Sequence, residues 1–164
     1  MIARIGIDIA KNVFHVHGVC AAEKQLMSRK LRRSQVLAFF GKLDPCPVGM
    51  EACATAHHWA REIAALGHEV RLMPPKYVKA YLKRQKNDAA DAAAICEAVG
   101  RPGMRFAPVK SRDKQAVLML HRARDLLIRH RTMLINALHA HLAETVHVAA
   151  VGRTRVAFAS RGGR

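Results

Sequence analysis

Apolar residues recur with a period of two early in the chain and with a helical period toward its end. Residues 4–9, Arg-Ile-Gly-Ile-Asp-Ile, place Ile at every second position and predict a strand. Phe14, Val16 and Gly18 interleave with His15 and His17 as a second strand, and residues 25–32 form a third. Strands this close in sequence predict an antiparallel meander. Ser34 is the expected N-cap of a helix running to 43, with Val36, Leu37 and Phe40 on one face, and Asp44-Pro45-Cys46-Pro47 ends it. A short apolar strand at 48–50 follows, then a helix at 57–66 stopped by Gly67, then a strand at 69–73 closed by Pro74-Pro75. Asn87 is the expected N-cap of an Ala-rich helix over 88–99, broken by Gly100, Pro102 and Gly103. A long helix is predicted over 112–146. Leu120, Leu127 and Leu134 recur there every seven residues, with Ala123, His130 and Ala137 three places after each. About three heptads are the minimum for a coiled coil.

This order predicts a mixed α/β sheet flanked by helices, with a meander continued by parallel strands and then a protruding pairing helix. The expected divisions are 1–110 for the sheet domain, 111–146 for the coiled-coil helix and 147–164 for a Gly/Arg-rich linker or end. The four cysteines show no CxxC spacing and are expected to be reduced and structural. The start lacks the pattern of a secretory signal, and no apolar run is long enough to span a membrane, so a cytoplasmic location is expected.

Charge narrows the function. The chain of 164 residues has 28 Lys+Arg against 12 Asp+Glu, a formal net charge of +16. At 51% apolar content it is no disordered basic tail. A polyanion is the expected partner, because neutralising phosphates releases their counterions. Nucleic acid fits better than a membrane surface, since no basic helix with an aromatic apolar face is evident. Lys83, Arg84 and Lys86 form one candidate phosphate-binding set, and Arg122, Arg124, Arg129 and Arg131 on the long helix form another. Each of these charges is equally compatible with a merely solvated face.

The scarce acids stand at telling places. Asp8 closes a strand, Glu51 follows the apolar stretch 48–50, and Asp88 and Asp91 lie three residues apart on one face of a helix start. Each alone has a plainer explanation: a strand end in solvent, or acids complementing a helix dipole. Together they suggest a carboxylate site for Mg²⁺ or Mn²⁺, ions that favour hard oxygen ligands. Paired divalent ions can clamp the attacking and leaving oxygens of a phosphodiester. Arg61 is a candidate partner of these acids. His15 and His17 share a strand face and are expected at the surface, while Trp59 is expected in the core or at an interface.

The stretches GIDIAKNVFHVHGV, GMEACATAHHWAREIAALGHEVRLMPP, YVKAYLKRQKNDAADAAAICEAVGRP and MRFAPVKS resemble the N-terminal half of a DEDD-type insertion-sequence transposase. The resemblance runs over about 4–153. It implies an RNase H-like (RuvC-like) domain followed by a coiled coil. It also implies that the family's four acids correspond to Asp8, Glu51, Asp88 and Asp91, a metal-dependent DNA transposition site. Full members continue into a C-terminal domain carrying a serine nucleophile, and they work with a structured guide RNA. On that basis this chain is the metal-binding half, incomplete as an enzyme by itself, and Ser160 is not assigned as the missing nucleophile. A RuvC-like resolvase is a rival reading that the KNDAADA and AHHWA stretches disfavour, and two further rivals stand beside it. One is a truncated nucleic-acid-binding fragment that cuts nothing. The other is an actin-like ATP-dependent kinase fragment, since GIDIAK also resembles a kinase phosphate loop, although Lys11 and Asn12 stand where Gly and Thr or Ser are wanted.

Overall fold

The structure is a computed structural model that describes residues 1–81 and 88–144. Two units are distinguished, Met1–Ser111 and Arg112–Arg164. Lys83, Arg84, Lys86, Asn87, the last predicted turn of the long helix and the tail with Ser160 lie outside the described residues.

The first unit is built on five strands: β1 (Arg4–Ile9), β2 (Val13–Val19), β3 (Gln25–Arg32), β4 (Pro47–Glu51) and β5 (Glu69–Met73). Their order across the sheet is β3-β2-β1-β4-β5. β2 is antiparallel to both β1 and β3, whereas β4 is parallel to β1 and β5 to β4. Four strands therefore run one way and β2 runs the other. A meander continued by parallel strands in this order is the RNase H-like mixed sheet.

Alternation along β1 explains how both faces are filled. Ile5 and Ile7 point into the larger core with Phe14, Val16, Val48, Met50 and Leu72. Helices α1 (Val36–Phe40) and α2 (Ala56–Ala64) cover that face through Val36, Phe40, Ala56, Trp59, Ala60 and Ile63. The aromatic edge contact between Phe14 and Trp59, with centroids 5.0 Å apart, joins sheet to helix. Trp59 is thus a core residue, 6% exposed. A buried histidine needs partners for both ring nitrogens. His68 has them: Nδ1 accepts the Cys46 amide at 3.3 Å, and Nε2 donates to the Phe40 carbonyl at 3.0 Å. All four cysteines are free, and burial pushes the Cys46 thiol up to about 11.

The opposite face carries α4 (Asp88–Val99), with α3 (Pro75–Val78) beside it in a smaller core of Met73, Val78, Ala94, Ile95, Ala98 and Val99. Gly6 allows this arrangement. A Cβ there would lie 2.3 Å from both the Ala92 carbonyl oxygen and the Cys96 amide nitrogen, backbone atoms with no room to yield. Gly49 is a second close seat, where a Cβ would meet Val99 at 2.8 Å. Arg4 fastens the far end of the helix. Its Nε donates to the Cys96 carbonyl at 2.8 Å, one of the last-turn acceptors that a helix leaves unpaired, while its Nη1 donates to Glu23 at 2.7 Å.

Three local expectations are corrected. Ser34 does not cap a helix. The chain enters through a single 3-10 turn at Arg33–Gln35, and the Gln35 side chain reaches back to accept the Arg32 amide at 2.9 Å, the return contact of a capping box. The first helix ends at Phe40 rather than 43, and its Leu37 is 38% exposed. The second begins at Ala56 and ends at Ala64. Gly67 does stand in the left-handed region at φ 95°, three residues past that end.

In the second unit, α5 (Arg112–Glu144) runs unbroken for 33 residues, about 50 Å at about 1.5 Å per residue. It buries none of its residues, and Leu120, Leu127 and Leu134 are 73%, 68% and 67% exposed. Among the described residues no helix is long and apolar enough to cross a membrane.

Candidate metal centre

The strand ends and the start of α4 meet at one edge of the sheet. Asp8 is the penultimate residue of β1 and shares the α4 face with Gly6, two residues earlier. Because α4 lies close at Gly6, its first turn reaches the end of β1. Asp8, Asp88 and Asp91 each bring a carboxylate oxygen within 4.8 Å of the other two. Asp8 and Asp91 are half-buried and Asp88 is exposed. Asp91 Oδ1 is buried with no hydrogen-bond partner among the described residues. Glu51 closes β4, where Met50 pairs with Ile7 of β1, so it stands beside Asp8 at the same edge. It is not one of the three converging acids, yet its charge is felt at Asp8.

Magnitudes show that the cluster is unfavourable as bare anions. Two carboxylates 4.8 Å apart repel by about 3 kcal/mol at an effective dielectric of about 20, before solvent screening is deducted. The dipole of α4 favours Asp88 and Asp91 in its first turn, but only by about 0.3–1 kcal/mol each. The dipole therefore does not offset the repulsion. Asp8 records the strain. Burial first, and then the charges of Asp91, Asp88 and Glu51, raise its pKa above the ordinary value, while His15 pulls the other way.

His15 is the residue that sequence reasoning misplaced. It was expected at the surface and is instead 7% exposed. It pairs across the ladder with Asp8, and its Nε2 lies 3.4 Å from Asp88 Oδ2. The strand alternation correctly put His15 and His17 on one face, but α4, which covers that face, is far away in sequence. Arg61 is also corrected. It sits on α2, under the other face, where Nη1 donates to the Lys110 carbonyl at 2.6 Å. His57 Nδ1 accepts the Lys110 amide at 3.1 Å, so α2 grips the end of the first unit rather than the acids. Arg122, Arg124, Arg129 and Arg131 are exposed along α5.

Comparison with known proteins places the chain. The family model for DEDD transposases of the IS110 type, described as Transposase, matches residues 5–147. The chain belongs to this transposase family. It is 54% identical over 143 residues to a probable family 20 transposase of Pseudomonas aeruginosa, covering 87% of this chain and 42% of that protein. It is 45% identical over 140 residues to the transposase for insertion sequence element IS1328 of Yersinia enterocolitica, covering 85% of this chain and 42% of the relative. The chain thus spans well under half the length of these transposases. Among solved structures, Thermus thermophilus RuvC is similar at 14% identity with a TM-score of 0.47, covering 65% of this chain and all of that one.

The raised pKa of Asp8 has a definite sign. The folded chain binds a proton there more tightly than the unfolded chain, so this group's contribution to stability is greatest at low pH. That contribution is lost as pH rises from the ordinary value of 3.8 through the folded value. Asp8→Asn is therefore expected to melt higher than the parent at pH 7 in EDTA, with the gap closing below about pH 4. Thermal denaturation across pH checks this, and an Asn variant that is less stable at neutral pH would refute it.

Proposed function

We propose that this chain is the carboxylate-bearing part of an insertion-sequence transposase that acts on DNA phosphodiesters. One or two divalent cations, Mg²⁺ or Mn²⁺, are held by Asp8, Glu51, Asp88 and Asp91. The observation that carries this is the convergence of three carboxylates, one of which, Asp91, has a buried oxygen with no partner among the described residues, in a chain of net charge +16. The donor set fits the ion. It is all oxygen, it carries more negative charge than the helix dipole can balance, and one acceptor faces no donor. The chemistry supplied there is Lewis-acid stabilisation of a phosphodiester and activation of the attacking oxygen.

The chain's own residues set up that chemistry. Asp8 and Asp91, anchored on a strand and a helix packed backbone to backbone, fix the centre of the site. His15, the ladder partner of Asp8, lies 3.4 Å from Asp88 and holds the exposed carboxylate in place. Glu51 supplies a further oxygen from the neighbouring strand. In this proposal residues 1–110 form the catalytic RuvC-like domain, 111–146 the coiled coil and 147–164 a linker or end. The arginines of α5, with Lys83, Arg84 and Lys86, contact nucleic-acid phosphates. A guide RNA partner rests on the family resemblance alone, and the strand-transfer nucleophile belongs to the part of the relatives that this chain does not span.

Self-association through α5 is supported by its exposed heptad leucines, because a monomer would leave that stripe in water. Light scattering is expected to give a dimer or larger species, reduced to a monomer by replacing Leu120, Leu127 and Leu134 with serine. A monomer at high concentration before any substitution would contradict it. Calorimetric titration with Mn²⁺ tests the metal site. The parent should bind, and Asp8→Ala and Asp91→Ala should each weaken binding by about 10-fold or more, by analogy with the loss caused even by removing an outer partner of a metal ligand. Binding unchanged in both variants would sink the proposal.

A further inference from the structure

A second charged feature lies at the same edge of the sheet as the acids. β3 is an edge strand, and its basic residues were not among the candidate phosphate contacts. From Lys24 to Lys42 the chain holds Lys24, Arg29, Lys30, Arg32, Arg33 and Lys42 and no acid. Arg29, Lys30, Arg32 and Arg33 are exposed, while Leu31 between them is 8% exposed and holds the strand to the core. Among the described residues, Arg29, Lys30 and Arg32 form no ion pair.

The register puts two of these cations on the acids' side. Asp8 pairs with His15, and His15 pairs with Lys30, so the three form one row across β1, β2 and β3. Side chains in one row project from the same face, and Arg32, two residues on, shares it. α4 packs mainly on β1, β2 and β4, which leaves this face of β3 open. Two strand spacings separate Lys30 from Asp8, about 10 Å. That is about three steps along one strand of a duplex, at about 3.4 Å of helix axis each. Since β3 runs parallel to β1, its last residues end at the same edge as Asp8. There Asn12, Val13, Arg32, Arg33 and Ser34 line a shallow groove. Arg33 is fixed in place, with its guanidinium 5.1 Å from the Trp59 ring and 5.9 Å from the Phe14 ring.

We infer that the open face of β3, through Lys30 and Arg32, is a docking track for the backbone of the DNA strand that reaches the carboxylates. This rests on the proposed metal-dependent action on DNA and adds where the strand lies. The partner is DNA because the track and the acids share one row, so the strand held by one is the strand delivered to the other. Cations also guard sheet edges against pairing with other sheets, a purpose that Glu can serve too. Charge reversal therefore separates the two roles.

The test is fluorescence anisotropy of the full chain with a labelled DNA carrying a single-stranded end, measured over a range of salt. Lys30→Glu with Arg32→Glu is expected to weaken binding at least 10-fold. Lys30→Ala with Arg32→Ala should lower the slope of log affinity against log salt by about 2, one for each lost phosphate contact. Lys30→Arg with Arg32→Lys should retain binding. A control pair elsewhere on the surface, Lys42→Glu with Arg105→Glu, removes the same charge and should cost much less. Unchanged affinity in the β3 reversal, or a loss no larger than the control's, overturns the track. An RNA of the same length losing more affinity than the DNA overturns the assignment to DNA. Mn²⁺ calorimetry on the same proteins separates the two claims. Mn²⁺ uptake with unaltered DNA affinity removes the track and leaves the metal site standing. DNA loss in the β3 reversal, with no Mn²⁺ uptake by the parent, does the reverse.

Discussion

The close approach of α4 to β1 at Gly6 is the contact on which the site depends. Helix backbone and strand backbone meet where even one methyl group would intrude to 2.3 Å. Because the helix lies this low, its first turn reaches the end of β1 and Asp91 and Asp88 arrive beside Asp8. The Ala-rich sequence of α4 serves the same end, since larger side chains on its sheet-facing side would hold it off. Gly49 and the Arg4 bond to the Cys96 carbonyl extend the seat along the helix.

That packing brings together like charges that would otherwise separate. The core contacts of α4 hold the carboxylates in place despite their repulsion, and Asp8 shows the cost in its raised proton affinity. A site of this kind is built for a charge it does not itself contain. The surrounding basic surface is the complement: a polyanion is drawn to the molecule as a whole but repelled by this one spot until the spot is neutralised. Net charge and local charge thus have opposite signs for connected reasons.

Much of this was legible in the sequence, and the physical reason is periodicity. β1 and β5 were bounded correctly because their alternation is sharp, β3 was bounded correctly on a weaker pattern with one buried position, and Asp8, Asp88 and Asp91 stood out because acids are scarce. What was hidden depends on residues distant in sequence. Alternation places His15 on a face but does not say that a helix more than 70 residues later covers it. Nor does it reveal that Arg61 and His57 hold Lys110, or that His68 bridges Cys46 and Phe40. Gly6 looked like a small residue in a strand, and only the packed helix shows why it has no side chain. The basic run of β3 was read as a strand and passed over as a surface, because register, not composition, aligns it with Asp8.

The most direct test of the account is where a cation sits. Crystals of the chain grown with Mn²⁺ would show its position by anomalous scattering. The account predicts a peak bonded to Asp8 and Asp91, with Asp88 or Glu51 completing the protein ligands. Saturating Mn²⁺ bound elsewhere, with these carboxylates left free of metal, would contradict it.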